Sequence, residues 1–300
     1  MRVDPFYVTN LVSALDGAQG REQQLTEELS SGIRFNALGD DPAAAGRNVL
    51  LLNQIQRDDS FTRSSSLVTG QLQVADSALG SVVSQLTQAI SLATSANNGT
   101  MNASDVQSIG AQISGILNEV TSLANSSYQG QYIFAGGQTT TVPFTTSSAS
   151  TPTATTYNGD SNVSYLETPN GQKIQLNVPG DQIFLGANSV FGVLNNLVAD
   201  FASGTVNSAQ ATQDTLALTA ALNDVSQQRV TIDNATTQLT SASSAIMTEQ
   251  TQLTASQTNL MQADLATVAT QLSLSKTQEA ALESVIAQLG SGSLFDKLQG

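Results

Sequence analysis

Residues 218–260 read LTAALNDVSQQRVTIDNATTQLTSASSAIMTEQTQLTASQTNL, with aliphatic side chains at seven-residue intervals: Leu218, Val225, Ile232, Leu239, Ile246, Leu253 and Leu260. A straight α-helix drifts against a seven-residue repeat, so this stripe predicts a helix wound against partners in a left-handed supercoil. A second stripe lies at the other end of the chain, at Val8, Leu11, Leu15, Ala18, Leu25 and Leu29, with Glu22 where an apolar residue is due. Past Leu260-Met261 the C-terminal register slips and resumes at Leu265, Val268, Leu272, Leu282, Ile286 and Leu289. Ends patterned in this way pack lengthwise. The expected fold is mainly α, a long helical bundle or coiled-coil rod formed by both chain ends.

The segments between fill in the rod. Residues 6–31 read as one amphipathic helix ended by Gly32, and Ile33 to Gly39 as an extended stretch. Asp40-Asp41-Pro42 is a helix start, a carboxylate cap followed by proline at the first helical position. The helix it opens is expected to run to Ala93, with a seam at Leu72, Ala75, Leu79, Val82, Leu86 and Ala89. Asn97-Asn98-Gly99 breaks it, and Ser104 is the expected cap of a third helix with seam residues Val106, Ile109, Ile113, Ile116, Val120 and Leu123. At Gln129 the character changes. Tyr132-Ile133-Phe134 reads as a short strand ended by Gly136-Gly137, and 138–156 as a Ser/Thr-rich loop or irregular edge strand. Two alternating stretches, 161–168 and 172–178, flank Pro169-Asn170-Gly171, a hairpin signal. Helix returns at 190–202, and no proline interrupts 207–289, which reads as one long helix.

These readings divide the chain into a terminal coiled coil (1–39 with 256–300), a helical rod (40–137 with 190–255) and a β-rich outer insert (138–189). The insert is expected to be removable without unfolding the rod. Leu218 to Leu253 are expected to face the protein's own core. Leu11, Leu15, Leu25, Leu29, Leu265, Val268, Leu272, Leu282, Ile286 and Leu289 are expected to form an assembly interface between subunits.

Composition narrows the chemistry. The 300 residues contain no Cys, His or Trp, which removes disulfides, thiolate and imidazole metal ligands, and Cys- or His-based catalysis. A net charge of -14 argues against nucleic acid as a partner. No apolar run is long enough to span a membrane, and Met1 to Pro5 lack the apolar core of a cleavable signal peptide, so export by the general secretory route is not expected. Asp40-Asp41 is better read as a cap than as a catalytic dyad, and Asp58-Asp59 as a solvated helix face. The Gly110–Gly115 spacing lacks the Lys-Ser/Thr of a phosphate loop. The expectation is a non-enzyme without a cofactor.

Leu29-Ser30-Ser31-Gly32-Ile33-Arg34-Phe35-Asn36, followed by Asp40, Asp41, Pro42, Ala43 and Ala44, resembles the N-terminal signature of bacterial flagellins and their hook-associated relatives. Tyr132, Ile133, Phe134, Ala135 and Gly136, then Pro143-Phe144, Tyr157-Asn158-Gly159-Asp160 and Ser293-Leu294-Phe295-Asp296, resemble the hook–filament junction branch of that flagellin-like family. The resemblance implies a structural subunit of the bacterial flagellum, outside the cell, exported through the flagellar type III apparatus. It implies partners: a ring of identical subunits, an adjacent hook-associated protein, flagellin and an export chaperone. Flagellin itself is the first alternative, and a secreted coiled-coil adhesin or secretion-tip protein the second.

Overall fold

The structure is a computed structural model that describes residues 6–35, 39–98, 101–147 and 154–291. In chain order its helices are α1 (Tyr7–Ser31), α2 (Pro42–Ala96), α3 (Ala103–Ala124), α4 (Gly180–Phe184), α5 (Val190–Ala202), α6 (Ser208–Met261) and α7 (Leu265–Ser291). The strands, all between α3 and α4, are β1 (Ser127–Tyr128), β2 (Gln131–Tyr132), β3 (Phe144–Ser147), β4 (Ala154–Tyr157), β5 (Tyr165–Glu167) and β6 (Lys173–Gln175). Two compact units result, one from the chain ends up to Gln56 and from Glu249, the other from Arg57–Thr248. Both divisions fall inside the long helices α2 and α6.

In the Arg57–Thr248 unit, the seams read from sequence meet in one core. Leu79, Val82 and Leu86 of α2, Ile113 and Val120 of α3, and Leu218, Val225 and Leu239 of α6 are fully buried in it. α2 and α6 run antiparallel there. Arg229 Nε and Nη2 donate to the two Asp76 carboxylate oxygens at 2.8 and 3.1 Å, and Asn97 donates to Thr212 at 3.1 Å. α6 is rich in Thr and Ser, weak helix formers, yet stays helical because packing outweighs propensity. Its hydroxyls turn inward on the helix: Thr215, Thr236 and Thr240 donate to the carbonyls of Ala211, Ile232 and Thr236. α5 lies on α3 close to Gly110, where an added Cβ would stand 3.2 Å from the Phe201 Cβ.

Among the described residues three two-stranded antiparallel hairpins form between α3 and α4, β1–β2 just before the expected insert and the other two within it. β1 and β2 are joined by Gln129 (φ 51°) and Gly130 (φ 80°), both left-handed, the geometry that matches the twist of a two-residue hairpin. β3 pairs with β4 in the register Phe144↔Tyr157, so part of the Ser/Thr-rich stretch is regular strand. β5 and β6 flank the turn at Pro169-Asn170-Gly171, where Gly171 takes φ 82°.

Several expectations are revised. Only Tyr132 of Tyr132-Ile133-Phe134 joins a ladder. Ile133 and Phe134 are 3% and 1% exposed because the chain dives into the core there. Asn102, not Ser104, caps α3, its side chain accepting from Asp105 N–H at 3.0 Å. The long C-terminal helix ends at Met261 and a new one starts at Leu265. Asp58 is buried rather than solvated. The insert shares its core with the helices: Phe144 and Phe184 pack on Phe191 of α5 at centroid distances of 5.0 and 5.6 Å, Phe134 meets Phe184 edge-on at 5.6 Å, and Ile174 and Ile183 join the same cluster. It is therefore not a lobe that can be lifted away without exposing apolar surface.

Candidate assembly interface and motif site

In the unit made from the chain ends, α1 and α7 pack side by side and antiparallel. Near the end of α1, Ile33 forms an antiparallel bridge with Gln262, Arg34 N–H donates to Met261 at 2.7 Å, and Ala263 N–H donates to Gly32 at 2.9 Å. Farther along, Ser275 Oγ donates to the Ala18 carbonyl at 3.4 Å and Lys276 Nζ lies 3.7 Å from Glu22. Gly32 ends α1 in the left-handed conformation (φ 70°) that glycine adopts without strain. Asp264 opens α7 as its cap, accepting from the Thr267 hydroxyl and from the N–H groups of Thr267 and Ala266. Those hydrogen bonds, the Thr267 hydroxyl first, hold its carboxyl below the usual range.

Most of the expected interface side chains lie along this seam. Leu11, Leu15 and Leu25 of α1 and Leu272, Leu282 and Ile286 of α7 are half-buried, and Val268 is buried. Leu29 and Leu265 remain 38% and 49% exposed. Leu289 lies in α7, but its side chain is outside the described residues, as is that of Val8 in α1. Sequence reading missed Ser275 and Glu279, which continue the α7 stripe at its own spacing. Their polarity hid them, although Glu22 gave the same signal on α1. One pair of helices leaves the stripe part open, and a shallow groove of about 490 Å³ follows it along Ser13, Ala14, Gly17, Ala18, Leu282 and Val285.

The described residues of the first family motif close α1 and open α2, Asn36 lying outside the described residues. Asp41 accepts from Ala44 N–H at 2.9 Å, capping α2 as expected, and its other oxygen pairs with Arg34 at 2.7 Å. Pro42 is the first helical residue and Asp40 is exposed. Phe35, Ala44 and Ala45 pack with Leu260 and Met261 at the end of α6.

The second motif ties two distant stretches together. Gly136 (φ 67°) lies so close to Asp160 that a Cβ would collide with its carbonyl oxygen. Asp160 accepts from Gly137 N–H at 2.6 Å and from the backbone and side chain of Asn162, contacts that hold its carboxyl below the usual range. The Tyr157 hydroxyl lies 3.0 Å from the Phe134 carbonyl and 2.9 Å from that of Asp160. Burial, with the charge of Asp181 second, pushes this phenol up to about 12. Asn125 exchanges two 2.8 Å hydrogen bonds with the backbone of Phe144. Tyr132–Gly136 and Tyr157–Asp160 are thus two halves of one clasp.

Among the described residues no group of three or more carboxylates is placed to hold a metal ion, and no helix is long and apolar enough to cross a membrane. Residues 8–139 match the bacterial flagellin N-terminal helical region. The fold is flagellin-like. Over 134 residues the chain is 30% identical to flagellar hook-associated protein 3 of Salmonella typhimurium, covering 44% of this chain and 42% of that protein. Over 130 residues it is 29% identical to flagellin of Bacillus subtilis, covering 42% and 43%. The chain thus matches less than half the length of either relative. The crystal structure of flagellar hook-associated protein-3 from Legionella pneumophila superposes with a TM-score of 0.63 at 14% identity, over 70% of this chain and 98% of that one.

Proposed function

We propose that this chain is a structural adaptor subunit of the bacterial flagellum that joins hook-side proteins to the flagellin filament. The observation that carries the reading is the pairing of the two chain ends, α1 with α7, in a flagellin-like chain that also holds the Tyr132–Gly136 and Tyr157–Asp160 clasp. The likeness to hook-associated protein 3 of Salmonella typhimurium supports the junction over the filament. The mechanism is folding coupled to assembly. α1 contains Gly17 and Gly20, and each interior glycine weakens a helix that has no packing partner, so α1 is marginal alone in water. Pairing with α7 covers part of each stripe, and a ring of identical subunits covers the rest. Leu11, Leu15, Leu25, Leu29, Leu265, Val268, Leu272, Leu282, Ile286 and Leu289 are the contacts this assembly uses.

In this reading one end of the ring meets another hook-associated protein and the other meets flagellin. The subunit acts outside the cell, after export by the flagellar type III apparatus with a chaperone on its C-terminal segment. It carries out no reaction. Electron microscopy of a strain lacking the gene is the test. Flagella that end at the hook are expected. Full-length filaments on the deletion strain would overturn the reading, and unaided growth of long filaments by the purified protein would favour flagellin.

A further inference from the structure

Three asparagines in this chain are followed directly by glycine: Asn98, Asn158 and Asn170. Gly99 lies outside the described residues. The other two pairs are held very differently. Asn158 belongs to the clasp. Its Nδ2 donates to the Val142 carbonyl at 3.3 Å and to the Thr145 hydroxyl at 3.1 Å, and its N–H donates to the Pro143 carbonyl at 2.8 Å. A Cβ on Gly159 would stand 2.7 Å from the Ala135 carbonyl oxygen, so the peptide after Asn158 is tightly enclosed. Asn170 is the opposite case. It and Gly171 are exposed, and beyond the chain neighbours no atom lies within 4 Å of where a Gly171 Cβ would stand. Among the described residues no hydrogen bond holds the Asn170 side chain. The pair lies in the turn that closes β5 on β6, a two-stranded sheet with three residues in each strand. Gly171 N–H donates to the Thr168 carbonyl at 2.8 Å. Breaking that bond frees the Gly171 nitrogen, and a short two-stranded hairpin opens locally at lower cost than the fold as a whole.

We propose that Asn170-Gly171 is a self-modifying site that converts through a cyclic imide to aspartate and isoaspartate, that the clasp protects Asn158-Gly159 from the same reaction, and that the isoaspartate form loosens the β5–β6 hairpin. When the turn opens, the Gly171 nitrogen gives its proton to a base in the solvent and attacks the side-chain amide carbon of Asn170. A carbon–nitrogen bond forms, the bond to the side-chain nitrogen breaks, and that nitrogen takes up a proton from water and leaves as ammonia. No side chain on Gly171 screens the attack. Water then opens the imide. Attack at the side-chain carbonyl gives aspartate, and attack at the main-chain carbonyl gives isoaspartate. Aspartate adds only a negative charge at an exposed turn. Isoaspartate also lengthens the main chain by one atom. The length of this turn is set by the Thr168 N–H donating to the Gln172 carbonyl at 2.8 Å and the Gln172 N–H donating to the Thr168 hydroxyl at 3.0 Å. Beyond it Ile174, 1% exposed, stands opposite Leu166, so a longer turn works against the register that keeps Ile174 in the core.

The test incubates the folded full chain at mildly acid and mildly alkaline pH, with a parallel incubation in urea, and follows both asparagines by peptide mass spectrometry. In the folded chain the Asn170 peptide should gain one mass unit, faster at the alkaline pH, while Asn158 keeps its amide. In urea the two should convert at similar rates, because the clasp is gone. Asn170 that keeps its amide as long as Asn158 does in the folded chain overturns the proposal, and so does conversion of Asn158 at the same rate. Chain aged until most of Asn170 is isoaspartate should exchange the amide hydrogens of residues 165–175 faster than fresh wild type. It should also exchange them faster than freshly prepared Asn170→Asp, which carries the charge without the longer main chain. Equal exchange in all three overturns the loosening.

Discussion

Glu22 of α1 and Glu279 of α7 face one another across the seam at matching positions of their two apolar stripes. The neighbouring Glu279 is the largest influence on Glu22 and raises its carboxyl above 4.5, while Lys276 pulls the other way. A like-charged layer inside an otherwise apolar seam weakens the pair when both groups are ionised. Folded Glu22 holds its proton more tightly than the unfolded chain does, so helix pairing is strongest below 4.5 and weakens as pH rises through the raised value. Glu279→Gln should remove this dependence. Hydrogen exchange of α1 and α7 amides at neutral pH should be slower in the variant than in wild type. Equal exchange would show that solvent screens the layer.

The same helix carries a second, independent weakness. Gly17 and Gly20 interrupt α1, and no atom lies within 4 Å of where a Cβ would stand at either. Alanine at each position is sterically free and should favour the helix by about 0.5–1 kcal/mol. Circular dichroism of the double variant Gly17→Ala, Gly20→Ala should show more helix than wild type in dilute solution. If ordering α1 is a step in assembly, the concentration at which subunits associate should fall as well.

Gly136 tests the clasp. A side chain there meets the Asp160 backbone and needs a φ of 67° that L residues rarely adopt, so Gly136→Ala has no cheap relaxation. The expected loss is about 1–3 kcal/mol, read by thermal unfolding. Gly171→Ala is the control: its φ of 82° is equally unusual, but its Cβ would enter open space. A smaller loss at Gly171 would separate contact with Asp160 from backbone strain alone.

These positions also show what the sequence made legible. The stripes of α2, α3 and α6 were readable because a buried helix face repeats side chains at fixed spacing, and each repeat carries the same message. The hairpin at Asn170-Gly171 was readable because its turn needs a residue of that type. Ser275 and Glu279 were not, because a polar residue inside a stripe looks like the end of the stripe. Gly136 meets Asp160 and Gly137 hydrogen-bonds to it across 23 residues, and no local pattern encodes such a pairing. The sharing of Phe144 and Phe184 with the helical core was hidden for the same reason: isolated aromatics in irregular segments have no period.

That sharing changes what excision of residues 139–188 should do. The deletion removes Phe144, Ile174, Ile183 and Phe184, which pack on Phe191 and Val190 in the unit's core. A Gly-Ser bridge in their place leaves that apolar surface open to water, at roughly 25 cal/mol per Å² exposed. The excised chain should melt below the wild type and bind a hydrophobic dye. Unchanged melting would mean that α3 and α5 close over the gap.

Truncation at Leu260 addresses assembly itself. It removes α7 and with it the partner of α1, the Ile33–Gln262 bridge and the Asp264 cap, while leaving the buried seam of α6 from Leu218 to Ile246 in place. Unfolding of the Arg57–Thr248 unit should therefore occur at nearly the wild-type midpoint. Ile232→Ala, which hollows that unit at a residue 2% exposed, should cost about 2–5 kcal/mol without touching the terminal pair. The two variants should part in the opposite sense in a motility assay that also measures secretion. The truncated subunit, once outside the cell, should fail to seat at the hook, and Ile232→Ala should still seat below its melting temperature. Normal filaments on a secreted subunit ending at Leu260 would mean that the α1–α7 seam is not where the subunit joins its neighbours.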